Sequence, residues 1–298
     1  MEKPKRFAIF GNTYQPKNSQ AVQKLFDILT SYGAQILVDK PFFAYLRDEM
    51  RIQMSNCETV EGDSFCADVA ISMGGDGTFL TTAMRVGEKQ IPILGINTGR
   101  LGFLADFSLS DIEQTLAACF SGQLRQEHCS ILQVESSDGS LHGFPYALNE
   151  VAILKHDISS MISIRVDING EYLTTYQADG LIVNTPTGST GYALSVGGPV
   201  MLPGSQDIGL VPVAPHGLTV RPLMLPDNQE ISLSVESRSH SFLVAIDGRS
   251  ESCGESTSLT IRKAPYMVHV LKRPDASFLH TLRSKLLWGS DTRHNYAE

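Results

Sequence analysis

Cysteine is sparse and scattered in this chain. Only Cys57, Cys66, Cys119, Cys129 and Cys253 occur among 298 residues. None stands in a Cys-x-x-Cys pair or at a zinc-ligand spacing, which excludes a thioredoxin-type redox motif and a zinc ribbon. The odd, dispersed set suits reduced thiols, small side chains packed in a cytoplasmic protein. Long apolar runs are also missing. No stretch reaches the roughly 20 residues a membrane-spanning helix needs. The start, Met1-Glu2-Lys3-Pro4-Lys5-Arg6, leads straight toward a strand without the apolar core of a secretory signal. Positive charge is in deficit: 24 Lys and Arg against 32 Asp and Glu leave a net charge of -8. That balance gives no long-range attraction to nucleic acid or to an anionic membrane, so neither is expected as a partner. A polyanionic ligand would have to be held by backbone amides, a metal or a few local cations.

What is present reads as globular protein: 42% hydrophobic and 19% charged residues, in a chain long enough for two packed cores. Phe7-Ala8-Ile9-Phe10 is a buried-strand run ending at Gly11-Asn12. Asn18 and Ser19 then offer caps to a segment in which Ala21, Val22, Leu25, Phe26, Ile28, Leu29 and Tyr32 recur at helical spacing up to Gly33. Strands follow at Gln35–Val38, Asp68–Ser72 and Ile91–Ile96, with a helix expected from about Thr78 to Val86. This strand–helix alternation predicts a Rossmann-like parallel sheet. After about Leu124 the pattern changes. Ile162, Ile164, Val166 and Ile168 alternate with polar residues up to Asn169-Gly170, and Tyr172, Thr174 and Tyr176 return, which is a hairpin signature. A second turn is expected at Ser137–Ser140. Further short strands at Ile231–Val235, Phe242–Ile246 and Leu259–Ile261 predict a mostly β, sandwich-like second half. Leu279, Leu282, Leu286 and Leu287 predict a C-terminal helix that returns to the first domain. The expected division is therefore an α/β domain over residues 1–124 with a helical tail over 274–298, and a β-rich domain over 125–273.

Two glycine-rich stretches carry the chemistry. In Met73-Gly74-Gly75-Asp76-Gly77-Thr78, three glycines within four positions let backbone amides approach an anion, and the following helix adds its positive N-terminal end. A carboxylate beside phosphate is repulsive unless it handles a proton or a metal, so Asp76 fits the group that accepts or orients the proton of an attacking hydroxyl. A bare strand–helix turn capped by Asp76 is the plainer alternative. The second stretch runs from Ala178 to Pro199. Pro186 and Gly188 make a rigid turn. Thr187, Ser189 and Thr190 supply short donors and acceptors, and Tyr192 supplies an aromatic face with a polar tip, all suited to a ribose and an adenine. A Ser/Thr-rich turn is the plainer alternative here. His216, beside Pro215 in a loop, reads as structural rather than as a general base.

Gly74-Gly75-Asp76-Gly77-Thr78 resembles a signature shared by NAD kinases, diacylglycerol kinases and sphingosine kinases. Three further pieces narrow the likeness: Asn97-Thr98-Gly99-Arg100-Leu101-Gly102-Phe103-Leu104, then Asn149-Glu150, then Asp179 through Pro199. Pro215-His216, Arg221-Pro222 and Asp247-Gly248 continue it. In this order the pieces resemble the NAD kinase family along most of the chain. The resemblance implies transfer of the γ-phosphoryl of ATP to the 2′-hydroxyl of the adenosine ribose of NAD, giving NADP, with Mg²⁺ or another divalent ion bridging the donor phosphates. It implies that Asp76 orients or deprotonates that hydroxyl and that Gly74, Gly75, Gly77 and Thr78 hold phosphate. Asn149 and Glu150 would bind the adenosine, with Glu150 near the ribose hydroxyls, and Phe103 would line the adenine pocket. Thr187, Thr190, Gly191 and Tyr192 would sit against the adenine and its neighbouring phosphate, Asp179 would face the nicotinamide end, and Ser195 would lie near it. A homodimer or homotetramer is implied as well. Two positions depart from the family pattern: Asn184 stands where Ser is usual, and Gly191 where Ala is usual. A lipid or sugar kinase sharing only the first motif, and a dinucleotide-binding regulator without turnover, are the competing readings.

Overall fold

The computed structural model describes residues 5–13, 19–99, 102–157 and 160–289. The chain divides into two compact units: the chain up to Glu127 together with the chain from His269 onward, and His128–Val268 between them.

The first unit begins with β1 (Arg6–Gly11), α1 (Ser19–Ser31), β2 (Gln35–Asp39), α2 (Lys40–Asp48), β3 (Cys57–Val60), β4 (Val69–Met73), α3 (Asp76–Val86), β5 (Ile93–Asn97), β6 (Phe107–Ser108), α4 (Ile112–Phe120) and β7 (Arg125–Cys129). Strands β4 and β5 are buried at every position, as parallel strands covered on both faces must be. Helix α1 turns Val22, Leu25, Phe26 and Leu29 into the core at the spacing of one helical face. It ends where Gly33 takes a left-handed conformation, φ 68°, and Ala34 N–H reaches back to Leu29. Asn18, the other expected cap, lies outside the described residues. Helix α3 starts at Asp76, two residues before the sequence pattern places it, because Gly75 serves as its N-cap. The carboxylate thus belongs to the helix's own first turn.

The second unit holds β8 (Leu132–Ser136), β9 (Tyr146–Ala147), β10 (Glu150–Lys155), β11 (Ile162–Ile168), β12 (Glu171–Ala178), β13 (Gly180–Asn184), the short α5 (Tyr192–Ser195), β14 (Asp207–Val213), β15 (Leu223–Pro226), β16 (Ile231–Glu236), β17 (Ser241–Ile246), β18 (Arg249–Gly254) and β19 (Leu259–Lys263). They form two six-stranded sheets, β15-β14-β13-β10-β17-β18 and β12-β11-β16-β19-β8-β9. Ile162, Ile164 and Val166 of β11 and every second residue of β17 are buried, and their inward faces meet in one core containing Ile164, Val166, Val151, Leu181, Phe242 and Val244. Asn169-Gly170 and Asp247-Gly248 both take left-handed conformations (φ 50° and 80°, 47° and 81°) at two-residue hairpin turns.

Two last elements, β20 (Val268–Lys272) and α6 (Phe278–Leu286), complete the first unit. Its sheet runs β3-β2-β1-β4-β5-β20-β7, with β6 on β5, and the β1 to β6 pairs and β5–β20 are parallel. Strand order reverses between β1 and β4, so the Gly74-Gly75 turn leaves the carboxyl end of a strand at the topological switch point, where open α/β sheets bind ligands.

Candidate active site

In the first unit the Gly74-Gly75 turn and the residues from Gly102 to Ala105 form one structure. Gly74 N–H donates to Ile96 O at 2.9 Å, tying the glycine turn to the end of β5. The carboxylate of Asp76 then gathers the loop that follows β5. Its Oδ2 accepts from Phe103 N–H (2.7 Å), and its Oδ1 from Leu104 N–H (3.0 Å) and Ala105 N–H (3.1 Å). Arg100 and Leu101 lie outside the described residues. A carboxylate offers about four lone-pair positions. Three are occupied by backbone amides, which leaves one on Oδ2. Gly75, with no side chain to cap the helix, leaves the first-turn amides of α3 unsatisfied by any side chain, the arrangement that suits an anion. Gly77 is exposed, and Thr78 is half-buried on the same turn.

The loop also collects cations from the far end of the chain. Lys272, at the end of β20, donates to Phe103 O at 3.2 Å and lies 3.7 Å from Asp106. Lys285, in the last turn of α6, places Nζ 4.7 Å from the centre of the Phe103 ring, and Phe278 packs near the same ring at 6.3 Å. The sequence shows few cations near the glycine motif. Both lysines lie more than 180 residues beyond it, and no local pattern links them to it. Phe103 is half-buried in this first-unit cluster.

The second unit uses the same anchoring device. Asp247, in the β17–β18 turn, accepts from Leu148 N–H (2.7 Å), Asn149 N–H (2.8 Å) and Glu150 N–H (3.1 Å). The family likeness includes Asp247-Gly248 in a late strand, whereas the structure puts the pair in the turn after β17, and nothing in the local sequence signals this anchoring. Thr185 fixes the same stretch from the other side, donating from Oγ1 to Leu148 O at 2.6 Å and from its amide to Asn149 O at 2.9 Å. Gly188 lies so near that a Cβ there would stand 2.1 Å from Asn149 O. Asn149 and Glu150 are thereby held rigidly, while Asn149 Oδ1 and Glu150 Oε2 are buried with no hydrogen-bond partner. Buried acceptors without donors cost free energy, about 1–3 kcal/mol each.

Burial first, and then the Asp247 carboxylate, push Glu150 from 4.5 up to about 7, against the Tyr192 backbone amide that favours its ionised form. Burial raises Asp247 as well, while the Leu148, Asn149 and Glu150 amides and the charge of Arg249 act to lower it. Below about pH 4.5 Glu150 is protonated in folded and unfolded chain alike. Between 4.5 and 7 only the unfolded chain releases its proton, so stability falls as pH rises and the loss is complete above 7. Glu150→Gln removes that loss. Its melting temperature should exceed the wild type's by a margin that is largest above pH 7 and closes toward pH 4.5. A margin that stays constant across this range would refute the shift.

The rest of the second stretch divides in two. Ser189 is fully buried and its hydroxyl is used internally, donating to Pro186 O (2.7 Å) and accepting from Met201 N–H (2.9 Å). Thr190 Oγ1 donates to Thr187 O at 3.3 Å. Tyr192 (38% exposed) and Ser195 remain open to solvent, and Thr187, Thr190 and Gly191 are half-buried. A Cβ on Gly191 would stand 3.0 Å from Glu150 Oε2 and 3.4 Å from Asn149 Nδ2, so Gly191, Asn149 and Glu150 share one place. Asp179 lies elsewhere on the unit, in an ion pair with Lys155 at 2.7 Å. Asn184 is buried and donates to Thr185 O, and its larger side chain is accommodated by Gly209, whose missing Cβ would stand 2.4 Å from Asn184 Oδ1. His216 is exposed and holds its loop through a backbone bond to Gln177.

For a divalent ion, the described residues contain no group of three or more His, Cys, Asp or Glu side chains arranged to hold one. Near the glycine turn, Asp76 is engaged by amides and Asp106 by Lys272. That donor set does not make a protein cage for a divalent ion. No described helix is long and apolar enough to cross a membrane.

Comparisons with known proteins fall on both units. A family model described as the ATP-NAD kinase N-terminal domain matches residues 7–124, and one described as the ATP-NAD kinase C-terminal domain matches residues 148–273. An NAD kinase of Bacteroides fragilis is 55% identical over 288 residues, covering 97% of this chain and 99% of the relative. One from Porphyromonas gingivalis is 39% identical over 289 residues, covering 97% and 100%. Among solved structures, an NAD kinase from Archaeoglobus fulgidus in complex with ATP matches with a TM-score of 0.68 at 25% identity, over 90% of this chain and 94% of that one. A yeast NADH kinase complexed with NADH shares the fold, with a TM-score of 0.89 at 20% identity over 99% and 90%.

Proposed function

Since this chain belongs to the NAD kinase family, we propose that Asp76 in the first unit serves the phosphoryl chemistry and that Asn149 and Glu150 in the second unit recognise the adenosine. The chain is an enzyme that phosphorylates NAD with ATP as donor. In the proposed assignment the 2′-oxygen of the adenosine ribose attacks the γ-phosphorus, the bond from that phosphorus to the bridging oxygen breaks, and ADP leaves. The hydroxyl proton is oriented or taken by Asp76 Oδ2, the one lone-pair position the loop amides leave open. The amides around Gly74, Gly75, Gly77 and Thr78 hold donor phosphate. A divalent ion, when bound, would travel with those phosphates and offset their charge.

The observation that carries the adenosine assignment is the pair of buried, unpartnered acceptors, Asn149 Oδ1 and Glu150 Oε2. Ribose hydroxyls and an adenine amino group are donors, and they would satisfy what the protein leaves unsatisfied. Gly191, Thr187, Thr190 and Tyr192 would border that place, Phe103 would contribute to the adenine pocket, and Asp179 and Ser195 would serve the nicotinamide end. The domain assignment follows the same division, the first unit for phosphoryl transfer and the second for NAD, with the boundaries at Glu127/His128 and Val268/His269 rather than at the expected 124/125 and 273/274. A homodimer or homotetramer is carried over from the family, and exposed Tyr172 and Leu173 on edge strand β12 are compatible with assembly. Cytoplasmic residence agrees with its substrates and with the free cysteines.

The test is direct. Purified protein incubated with ATP, Mg²⁺ and NAD should form NADP, quantified by enzymatic cycling. Glu150→Ala should raise the KM for NAD at least tenfold while the KM for ATP changes less than twofold. An unchanged KM for NAD would remove Glu150 from the adenosine site.

A further inference from the structure

The Lys285 ammonium is anomalous. Its Nζ is buried and has no hydrogen-bond acceptor among the described residues. A buried charge is costly unless it is paired. Cations near a helix C-terminus commonly serve the helix dipole, but those project into water and keep their hydration. Lys285 instead lies over the ring of Phe103, whose own amide donates to Asp76. The other charged groups of this cluster are engaged: Lys272 by Phe103 O and Asp106, and Asp76 by three amides. Burial pulls the Lys285 amine below its ordinary value, and Asp76 and Asp106 act to raise it, which locates the amine within electrostatic reach of both carboxylates.

We propose that Lys285, carried by the C-terminal helix α6 to the Phe103 loop, is the cation that grips the triphosphate oxygens of the phosphoryl donor beside Asp76. The inference rests on the kinase reading above and extends it to a residue outside every glycine motif. Three features of the site require such a group. A chain of net charge -8 draws in no polyanion by its overall field. The amides of a glycine turn carry only partial charge. Asp76 itself repels phosphate. An ammonium with three free donors answers all three, and a phosphoanhydride has the surplus of acceptor oxygens to match them. Phe103 supplies a face that receives the cation when no anion is bound.

The experiment uses the full chain with Lys285→Met, and Lys285→Gln as the variant for the case in which Met fails to fold. Binding of a non-hydrolysable ATP analogue, of inorganic tripolyphosphate and of NAD is measured by calorimetry, beside steady-state NADP formation. The expected result is at least tenfold weaker binding of both the analogue and tripolyphosphate and a matching rise in the KM for ATP. NAD binding should stay within twofold. Analogue and tripolyphosphate affinities within twofold of wild type, in whichever variant folds, would overturn the assignment. Losses that extend equally to NAD would mean a structural role and would also overturn it. Wild-type NADP formation in the same assay separates the two claims. Its absence would strike the kinase reading, whereas its presence alongside unchanged triphosphate binding would strike only Lys285.

Discussion

Asp76→Asn should lower kcat by about 10²–10⁴, the range typical of a positioned acid–base group, with NAD affinity retained. The geometry also predicts a cost to stability that the sequence does not reveal. The carboxylate accepts three amide donors, from Phe103, Leu104 and Ala105. An Asn side chain has one acceptor oxygen, and its amide nitrogen would face an N–H. If the oxygen keeps the Leu104 and Ala105 amides, Phe103 N–H meets a donor and is left unpaired, at about 1–3 kcal/mol. The melting temperature should therefore fall by several degrees while the protein remains folded. The reaction loses more than the fold does, because the lone-pair position lost on Oδ2 is the one assigned to the ribose hydroxyl. Single-turnover kinetics with saturating ATP and NAD, together with calorimetric melting, checks both effects. Near wild-type kcat in a folded variant would end the role of Asp76 in the chemistry, leaving it as a loop anchor.

Gly102→Ala should be almost as damaging, although it removes no functional group. A Cβ on Gly102 would stand 1.8 Å from Asp76 Oδ1 and 2.4 Å from its Cγ. Neither partner can yield independently, since the carboxylate is held by the three residues that follow Gly102 in the same loop. Either the side chain rotates away and releases the loop, or the loop shifts and carries Phe103 off the Lys285 ammonium. A displacement of about 1 Å in reacting groups can cost around 100-fold in rate, and a loss of at least that size is expected. The contacts assigned to Asn149 and Glu150 should persist, because both are fixed by Asp247 and Thr185 within the second unit, so a loss of NAD affinity should be confined to what the shifted Phe103 contributes. Gly254→Ala is the control, since its Cβ would meet only Ser256 Oγ at 3.9 Å and should leave kcat unchanged. If Gly102→Ala matches that control, the packing of Asp76 against Gly102 has no bearing on turnover.

Both effects show how local signals and long-range contacts differ here. The α/β character of the first unit was legible because its strands are short apolar runs broken by glycine turns, and because α1 repeats its buried residues at helical spacing. The β character of the second unit followed from alternation in β11 and β17 and from the Asn169-Gly170 turn. The place of Asp76 in a glycine-rich turn between strand and helix was legible for the same reason: three glycines and a carboxylate lie within four residues. Asn149 and Glu150 were named only through family likeness, since nothing in their own neighbourhood announces a site.

By itself the sequence determined the kinds of layers, the position of the glycine turn and the poverty of positive charge around it. These depend on neighbours a few residues apart, which backbone geometry and side-chain periodicity fix locally. The tertiary structure alone decided what Asp76 and Asp247 hold, which hydroxyls of the second stretch are consumed inside it, and which lysines lie against the Phe103 loop. Asp247 meets residues about 100 positions away, and Lys272 and Lys285 come from the last strand and helix. Such pairings are set by sheet order and strand return rather than by spacing along the chain. A carboxylate that looks free in the sequence can thus be nearly saturated by amides, and a loop that looks short of cations can hold two.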